Sequence, residues 1–471
     1  MPGALFLVSG SWSLVPVACS LMFLYHARWV LPISRAPIEN GTVGVKGERI
    51  AYVGPRTNAP SGTDRDLGDA ILLPGLVNAH THLELTVMRG LLENLEFPDW
   101  IVALQGAKRA VMTPAMLLDS AQLGIAEGIR VGVTTYADTC DSGVVLRALR
   151  EAGVRGIMYQ EVFGPSLEDA ELSLHELREK VEAHRELTTP LHIVGVSPHA
   201  PYTVSGALFA SVAKYAREAH LPMAIHIAES EAEQQFVMNA SGPFAERLRA
   251  RGIKGERAAR SPIALLRDLG VLESRPLLIH CVRADQEDIA TISATGCSVA
   301  HCPISNANLG HGIAPVRELL DAGVRVGLGS DSMASNNRMH LLEEARVAAL
   351  MQRARTGRYD ALSAVQALEL ATIGGARALG LNERIGTLEE GKDADLAAFP
   401  IDEDSGCSGG DPVAAAIFAL GGTRARFVSV AGRTLLEDGR VAADDPSVRV
   451  RGSEAAQSLL AWRSRHGVGG G

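Results

Sequence analysis

The chain of 471 residues predicts an α/β protein: a (β/α)8 TIM barrel, with a composite β-sandwich assembled from both chain ends. Three observations carry this. Eight short apolar runs alternate with amphipathic segments over residues 74–383. Strand-and-turn patterning precedes and follows that stretch. The histidines that interrupt the apolar runs gather at or just beyond their C-terminal ends, where a barrel of this kind builds its active site.

Taken in order, residues 1–24, "MPGALFLVSGSWSLVPVACSLMFL", are almost wholly apolar or small, with no Lys or Arg before Arg28. A secretory signal wants a positive n-region, and a spanning helix fewer Ser, Gly and Pro. The expectation is therefore an upstream extension, with Met22 the natural start and no membrane partner. Residues 25–73 carry short strands, "ARWVLPI", "GTVGVKGERIAYVG" and "AILLPG", separated by turns. Residues 384–445 repeat the style in "IGTLEEGKDADLAAF" and "RFVSVAGRTLLEDGRV", so the two segments are expected to pair in one sandwich. Between them the barrel strands read "LLPGLVNA", "VTTYAD", "GIMYQEV", "HIVGVSP", "PMAIHIA", "PLLIHC", "CSVAHC" and "VRVGLGSD", with helical stretches such as "GALFASVAKYAREAH" between them. Residues 446–471 close the chain as a helix and tail.

Composition narrows the function. Hydrophobic residues at 46% and charged residues at 21% are globular values. The net charge of −9 comes from interspersed acids and bases, without a basic run to follow a phosphate backbone, which disfavours nucleic acid as a partner. Six scattered cysteines form no Cys-x-x-Cys and no disulfide framework, so a reducing cytoplasm fits best.

His80 and His82 close strand one in "NAHTHLELT", and residues two apart on a strand share a face. With 14 histidines, chance gives roughly 0.4 such pairs, so the motif needs company. His199 follows strand four, His226 lies on strand five, His280 ends strand six, His301 ends strand seven and Asp331 ends strand eight. A lone histidine after an apolar strand is commonly a hydrogen-bonded core residue. Seven such polar residues at strand ends are expected to converge. Three or more imidazoles with one carboxylate suit one divalent ion, Zn²⁺ first, with Fe²⁺ or Mn²⁺ as competitors. Water on zinc acquires a pKa of about 7, which makes a hydrolytic nucleophile.

"PGLVNAHTHLE", "IHIAES", "LIHC" and "GLGSDSMASN", in this order, resemble the amidohydrolase superfamily over residues 25–445. Binuclear members bridge two metals with a carboxylated lysine after strand four. None of the six lysines (46, 108, 180, 214, 254 and 392) ends a barrel strand, which favours the mononuclear deaminase and chlorohydrolase group. That resemblance implies His80, His82, His226 and Asp331 as ligands, with Asp331 also taking the proton of the metal's water. It implies His280 as the residue orienting the nucleophile, and Glu229, three residues after His226, as the proton shuttle between ring nitrogen and leaving amine. Glu229 could otherwise be a solvated member of "AESEAE".

"MRGLLENLEFPDWI" resembles the S-adenosylhomocysteine and 5′-methylthioadenosine deaminases, which implies Glu93 on the ribose hydroxyls. There, His199 in "PHAPYTVS" lies near the substrate, and "CPISNANLGHGIAPV" adds His301, Ser305 and Asn306 as substrate-binding candidates. "YQEVFGPSLEDAELS" lacks the arginines those enzymes place after strand three. "HTHLE", "FPDW" and the insertion after strand five resemble instead the aminofutalosine deaminases, whose nucleoside carries a benzoate. Arg247, Arg249, Arg251, Lys254 and Arg257 of that insertion are candidate carboxylate partners, or else a solvated helix face. The expected substrate is a small molecule, an adenine-type nucleoside such as 6-aminodeoxyfutalosine. A chlorohydrolase or a guanine or pterin deaminase is the alternative on the same scaffold, and a non-catalytic assembly barrel would lack ligands that are present here. Relatives are often dimers, so a homodimer is the expected assembly.

Overall fold

The structure, a computed structural model, describes residues 21–253, 259–401 and 410–467. It opens with β1 (Met22–Val30), β2 (Ile38–Lys46), β3 (Arg49–Pro55), β4 (Thr63–Asp66) and β5 (Ala70–Pro74). Eight strands follow: β6 (Leu76–Thr81), β7 (Val133–Cys140), β8 (Arg155–Val162), β9 (His192–Pro198), β10 (Ala224–Ile227), β11 (Leu277–His280), β12 (Ser298–His301) and β13 (Arg325–Leu328). The chain then adds β14 (Leu396–Pro400), β15 (Phe427–Val430), β16 (Arg433–Glu437) and β17 (Arg440–Val441).

Each of the eight apolar runs overlaps one of the strands β6 to β13, and helices intervene. β6 to β9 and β10 to β13 form two parallel sets of four. Parallel bridges join the sets at both seams, Val196 with Met223 and Thr81 with Asp331. At the second seam the Asp331 N–H donates to the His80 carbonyl at 2.9 Å. The barrel is thus closed by its first and last strands meeting beside His80 and Asp331.

The remaining strands form one mixed sheet in the order β17-β16-β15-β14-β5-β1-β2-β3, with β4 beside β1. β15 and β1 are three strands apart, about 14 Å in a flat sheet. Yet the rings of Tyr25 and Phe427 lie 4.8 Å apart, and Arg65 on β4 reaches Glu437 on β16 at 3.1 Å. The sheet therefore curls over its own core, in which Tyr25, Val43, Ile50, Leu72, Leu396 and Phe427 are buried.

A buried charge network fastens this sheet to the N-terminal end of the barrel. Arg155, which opens β8, donates through Nε to Asp395 at 3.0 Å and through Nη2 to Asp393 at 2.8 Å. Arg384 and Arg49 reach the same Asp393 at 2.7 and 2.6 Å. The helix Pro446–His466 lies along the helices Phe97–Val111 and Pro114–Arg130, with the Trp462 ring over Gly106. Among the described residues no helix is long and apolar enough to cross a membrane.

Candidate metal centre and active site

Strand phase alone does not aim His80 and His82 inward. Val77 and Ala79 belong to the interior cluster with Ala224, Ile279 and Ala300, so strict alternation would turn the even-numbered histidines away. The register of β6 against β7 slips between Asn78 and Thr81, and that irregularity re-aims the strand end. On β10, Ala224 and His226 share the inward phase. Gly327 on β13 and Gly329 just past its end face inward ahead of Asp331. A Cβ on Gly329 would lie 2.8 Å from His80 Cβ and 2.9 Å from Cys302 Sγ, so only glycine lets β13 approach this closely. Ala228, His280 and Asp331 adopt left-handed φ of 52°, 77° and 59° just past or at three strand ends. Such non-glycine strain concentrates at functional sites.

These devices bring the predicted ligand atoms together. His80 Nε2 is 3.2 Å and His82 Nε2 3.7 Å from Asp331 Oδ1, and His82 Nε2 is 3.2 Å from His226 Nε2. Ligands about 2.1 Å from a tetrahedral ion stand about 3.4 Å from one another, which is the spacing observed. His80 Nε2 is buried and, despite its nearness to Asp331, has no hydrogen-bond partner. A buried nitrogen left bare beside a carboxylate fits a divalent cation between them, and these residues could hold one.

Their protonation suits that role. Burial pulls the His80 and His226 imidazoles below their ordinary range, and burial with His80 alongside takes His82 down to about 3. Burial would raise Asp331, but the nearby His80 imidazole, with His280 and His82, outweighs it and holds the carboxyl well below its usual value. Neutral imidazoles and an ionised carboxylate are the ligating forms. Asp331 Oδ2 also accepts from Ser305 Oγ at 2.5 Å, and Oδ1 from the Ser332 N–H at 2.7 Å.

Glu229 stands next to this group, only 4% exposed. Ser230 caps the helix Glu231–Asn239, and the Glu233 carboxylate accepts from the Ala228 and Glu229 N–H groups at 2.9 and 2.7 Å. That clamp turns Glu229 inward, so the "AESEAE" run is a folded corner and not a solvated face. Glu229 Oε1 lies 3.5 Å from His280 Nε2 and 3.3 Å from His311 Nε2. Burial pushes its carboxyl up, but His280 and His311 together outweigh burial and keep it below its ordinary value. His280 Nδ1 pairs with Asn306 Oδ1 at 2.9 Å, and its Nε2 faces both Glu229 and, at 4.0 Å, Asp331.

The cavity above these groups is lined by His82, His199, His226, Glu229, His280 and Asp331 and walled by Phe97, Trp100, Leu104, Phe163, Tyr202 and Leu309. His199 joins through its ring, with Nδ1 on Thr203 Oγ1 at 2.8 Å. Ser305 and Asn306 stand behind the lining, holding Asp331 and His280. His301 is buried with neither ring nitrogen bonded and does not line the cavity. Glu93 is exposed, its carboxylate taken by Asn337 Nδ2 at 2.9 Å, outside the lining. Arg247 bonds Asp99 at 2.5 Å and Arg249 its own helix; neither lines the cavity, nor does Arg251, and Lys254 and Arg257 lie outside the described residues. Three groups of the site escaped sequence reasoning: His311 beside Glu229, and Lys108 and Glu161 in the cavity lining. His311 sits in a loop beyond "CPISNANL" whose only signal is its closeness to a glycine pair. Lys108 reaches in from the helix Phe97–Val111, and Glu161 is the acid inside "YQEV" on β8.

Residues 71–434 match the amidohydrolase family, and the chain belongs to it: a hydrolase with a place for a divalent metal. It is 34% identical to the 5-methylthioadenosine/S-adenosylhomocysteine deaminase of Moorella thermoacetica, over 88% of this chain and 93% of that relative. Identity to the enzyme of the same name from Desulforudis audaxviator is 33%, over 93% and 99%. Among solved structures, a zinc-bound adenosine deaminase from Xanthomonas campestris superposes with a TM-score of 0.83 at 28% identity, covering 93% of this chain and 98% of that one. A zinc-complexed atrazine chlorohydrolase from Arthrobacter aurescens shares the fold, with a TM-score of 0.78 at 24% identity over 93% and 100%.

Proposed function

We propose that this chain is a metal-dependent aminohydrolase that replaces the exocyclic amine of an adenine-type nucleoside by oxygen, with His80, His82, His226 and Asp331 holding one divalent ion. The observation that carries the reading is the series Asp331, His280, Glu229, in which a carboxylate of the ligand set and a second buried carboxylate flank one imidazole nitrogen. Similarity to deaminases of adenine nucleosides supports the substrate class.

The metal, when bound, acidifies water so that a nucleophile is available at neutral pH. Asp331 Oδ2 receives a proton that water gives up, with Ser305 Oγ steadying the carboxylate. His280, its Nδ1–H donated to Asn306 Oδ1, turns Nε2 toward Asp331 and Glu229 and orients the attack. Glu229, a carboxylate at neutral pH, takes up one of the two protons that the water loses and delivers it from Oε1 to the ring nitrogen, which makes the purine carbon electrophilic; the other, received at Asp331 Oδ2, is carried by Glu229 to the amine, which leaves as ammonia. Phe97, Trp100 and Leu104 flank the base and exclude bulk water. His199 meets the substrate from the β9 side.

The same reading makes zinc the metal, a homodimer the assembly and the cytoplasm the compartment. It divides the chain into a barrel of residues 74–383 and a sandwich of 25–73 with 384–445. The test is ammonia release by metal-reconstituted enzyme from a panel of adenine, guanine, cytosine, pterin and triazine compounds. Turnover of adenine nucleosides is expected, and Glu229→Gln should lower it about 10²- to 10⁴-fold with the metal retained. Ammonia from no adenine nucleoside would sink the reading.

A further inference from the structure

The cavity contains a buried acid that the reaction above does not use. Glu161, near the end of β8, is 7% exposed and lines the cavity together with Phe163 and His199. Its Oε1 has no hydrogen-bond partner. A buried carboxyl oxygen is an acceptor in either protonation state, and leaving it bare is costly unless a ligand donates to it.

A second cation is the first occupant to weigh, since a Glu161 oxygen and ring nitrogens of His199 and His226 lie within 4.8 Å of one another. His226, however, faces His82 through Nε2 and the His199 carbonyl through Nδ1, so both its nitrogens are already directed. His199 directs Nδ1 to Thr203. Too few free ligands remain for an ion, and the donor must come from the substrate.

The charges around Glu161 say which substrates qualify. Among the described residues lining the cavity the one Lys or Arg is Lys108. Its ammonium is held between the carboxylates of Glu84 and Asp141, and Ser142 Oγ also donates to Glu84 at 2.5 Å. Two carboxylates therefore share the one cation, Glu161 stands near them unpartnered, and the described cavity lining offers no further guanidinium or ammonium. A carboxylate carried in on the substrate would lose its water beside Glu84, Asp141 and Glu161 without gaining a counter-charge.

We infer that Glu161 is a specificity-determining residue, which accepts a hydrogen bond from a substrate donor and, with Glu84 and Asp141 occupying Lys108, selects adenine nucleosides whose 5′ substituent bears no carboxylate. This rests on the nucleoside reading and decides between its candidates: the uncharged 5′-methylthioadenosine is favoured over the benzoate-bearing 6-aminodeoxyfutalosine.

The experiment compares kcat/KM for these two nucleosides with metal-loaded enzyme. Wild type should prefer 5′-methylthioadenosine by at least about tenfold. Glu161→Gln should raise KM for it and shrink the ratio by about tenfold, since the variant keeps the volume and puts an amide N–H, which can donate to a substrate carboxylate, where the carboxyl accepted. A merely structural Glu161 would depress both substrates alike. Preference of wild type for the carboxylate-bearing nucleoside, or a ratio that Glu161→Gln leaves unchanged, overturns this inference alone; ammonia from neither nucleoside overturns the nucleoside reading itself. Should the variant not fold, the wild-type ratio is the deciding measurement.

Discussion

The two ends of the barrel bury polar groups in opposite ways. At the N-terminal end Arg155 is enclosed by Asp393 and Asp395, with Arg384 and Arg49 balancing the second charge of the pair. At the C-terminal end His80 Nε2 and Glu161 Oε1 are equally buried and have no partner. Burial costs both clusters their hydration, but only the first is compensated from within the chain. Internal compensation marks a joint between barrel and sheet, whereas its lack marks a place prepared for something the chain does not encode.

That contrast predicts where substitutions will register. Asp331→Asn should remove bound metal, measured by elemental analysis, and lower turnover at least about 10³-fold, because the acidified nucleophile is lost. The melting temperature of the metal-free protein should move less than in the next variant. Arg155→Met leaves Asp395 without its cation and takes one of three from Asp393, and should cost about 3–5 kcal/mol in urea unfolding, while folded, metal-loaded molecules keep kcat/KM within about twofold. If Arg155→Met instead spared stability and abolished turnover, the distinction between the two ends would collapse. Gly329→Ala pushes a methyl group into His80 and should weaken metal binding about 10- to 100-fold, as displacing a ligand's support does, by competition with a chelator.

The smallest effect concerns pH. Burial, then the neighbouring His280, takes His301 down to about 3 from an ordinary 6.5. Between those values the unfolded chain binds the proton more readily, so this residue's stabilising contribution is complete above pH 6.5 and is lost as pH falls toward 3. Unfolding midpoints measured at about pH 7.5 and about pH 5 should therefore separate less in His301→Asn than in wild type.

Much of this molecule was legible in its sequence, for reasons that also set the limit. Strands β6 to β13 announce themselves because a strand buried on both faces must be apolar throughout, and the barrel follows from their number. β4, "TDRD", is exposed along its whole length and carries no such pattern. His80, His82, His226 and Asp331 could be placed at one end of the barrel because each lies on, closes or follows a readable strand, and the family resemblance singled them out as ligands. The slip in β6 that aims the first two depends on pairing with β7, which no local pattern records. Lys108 and His311 arrive from a helix and a loop whose paths are set by packing, so their positions follow from tertiary structure alone. Glu93 shows the converse: a carboxylate near the right motif, yet turned to the surface and tied to Asn337.

The seam at which Thr81 meets Asp331 joins the first barrel strand to the last, across most of the length of the chain. Contacts between segments so distant in sequence are among the slowest to form. Of the four residues proposed to grip the ion, two come from one side of that seam and one from the other. A half-wound chain offers only fragments of the site, so tight uptake of the ion would report that the barrel has closed.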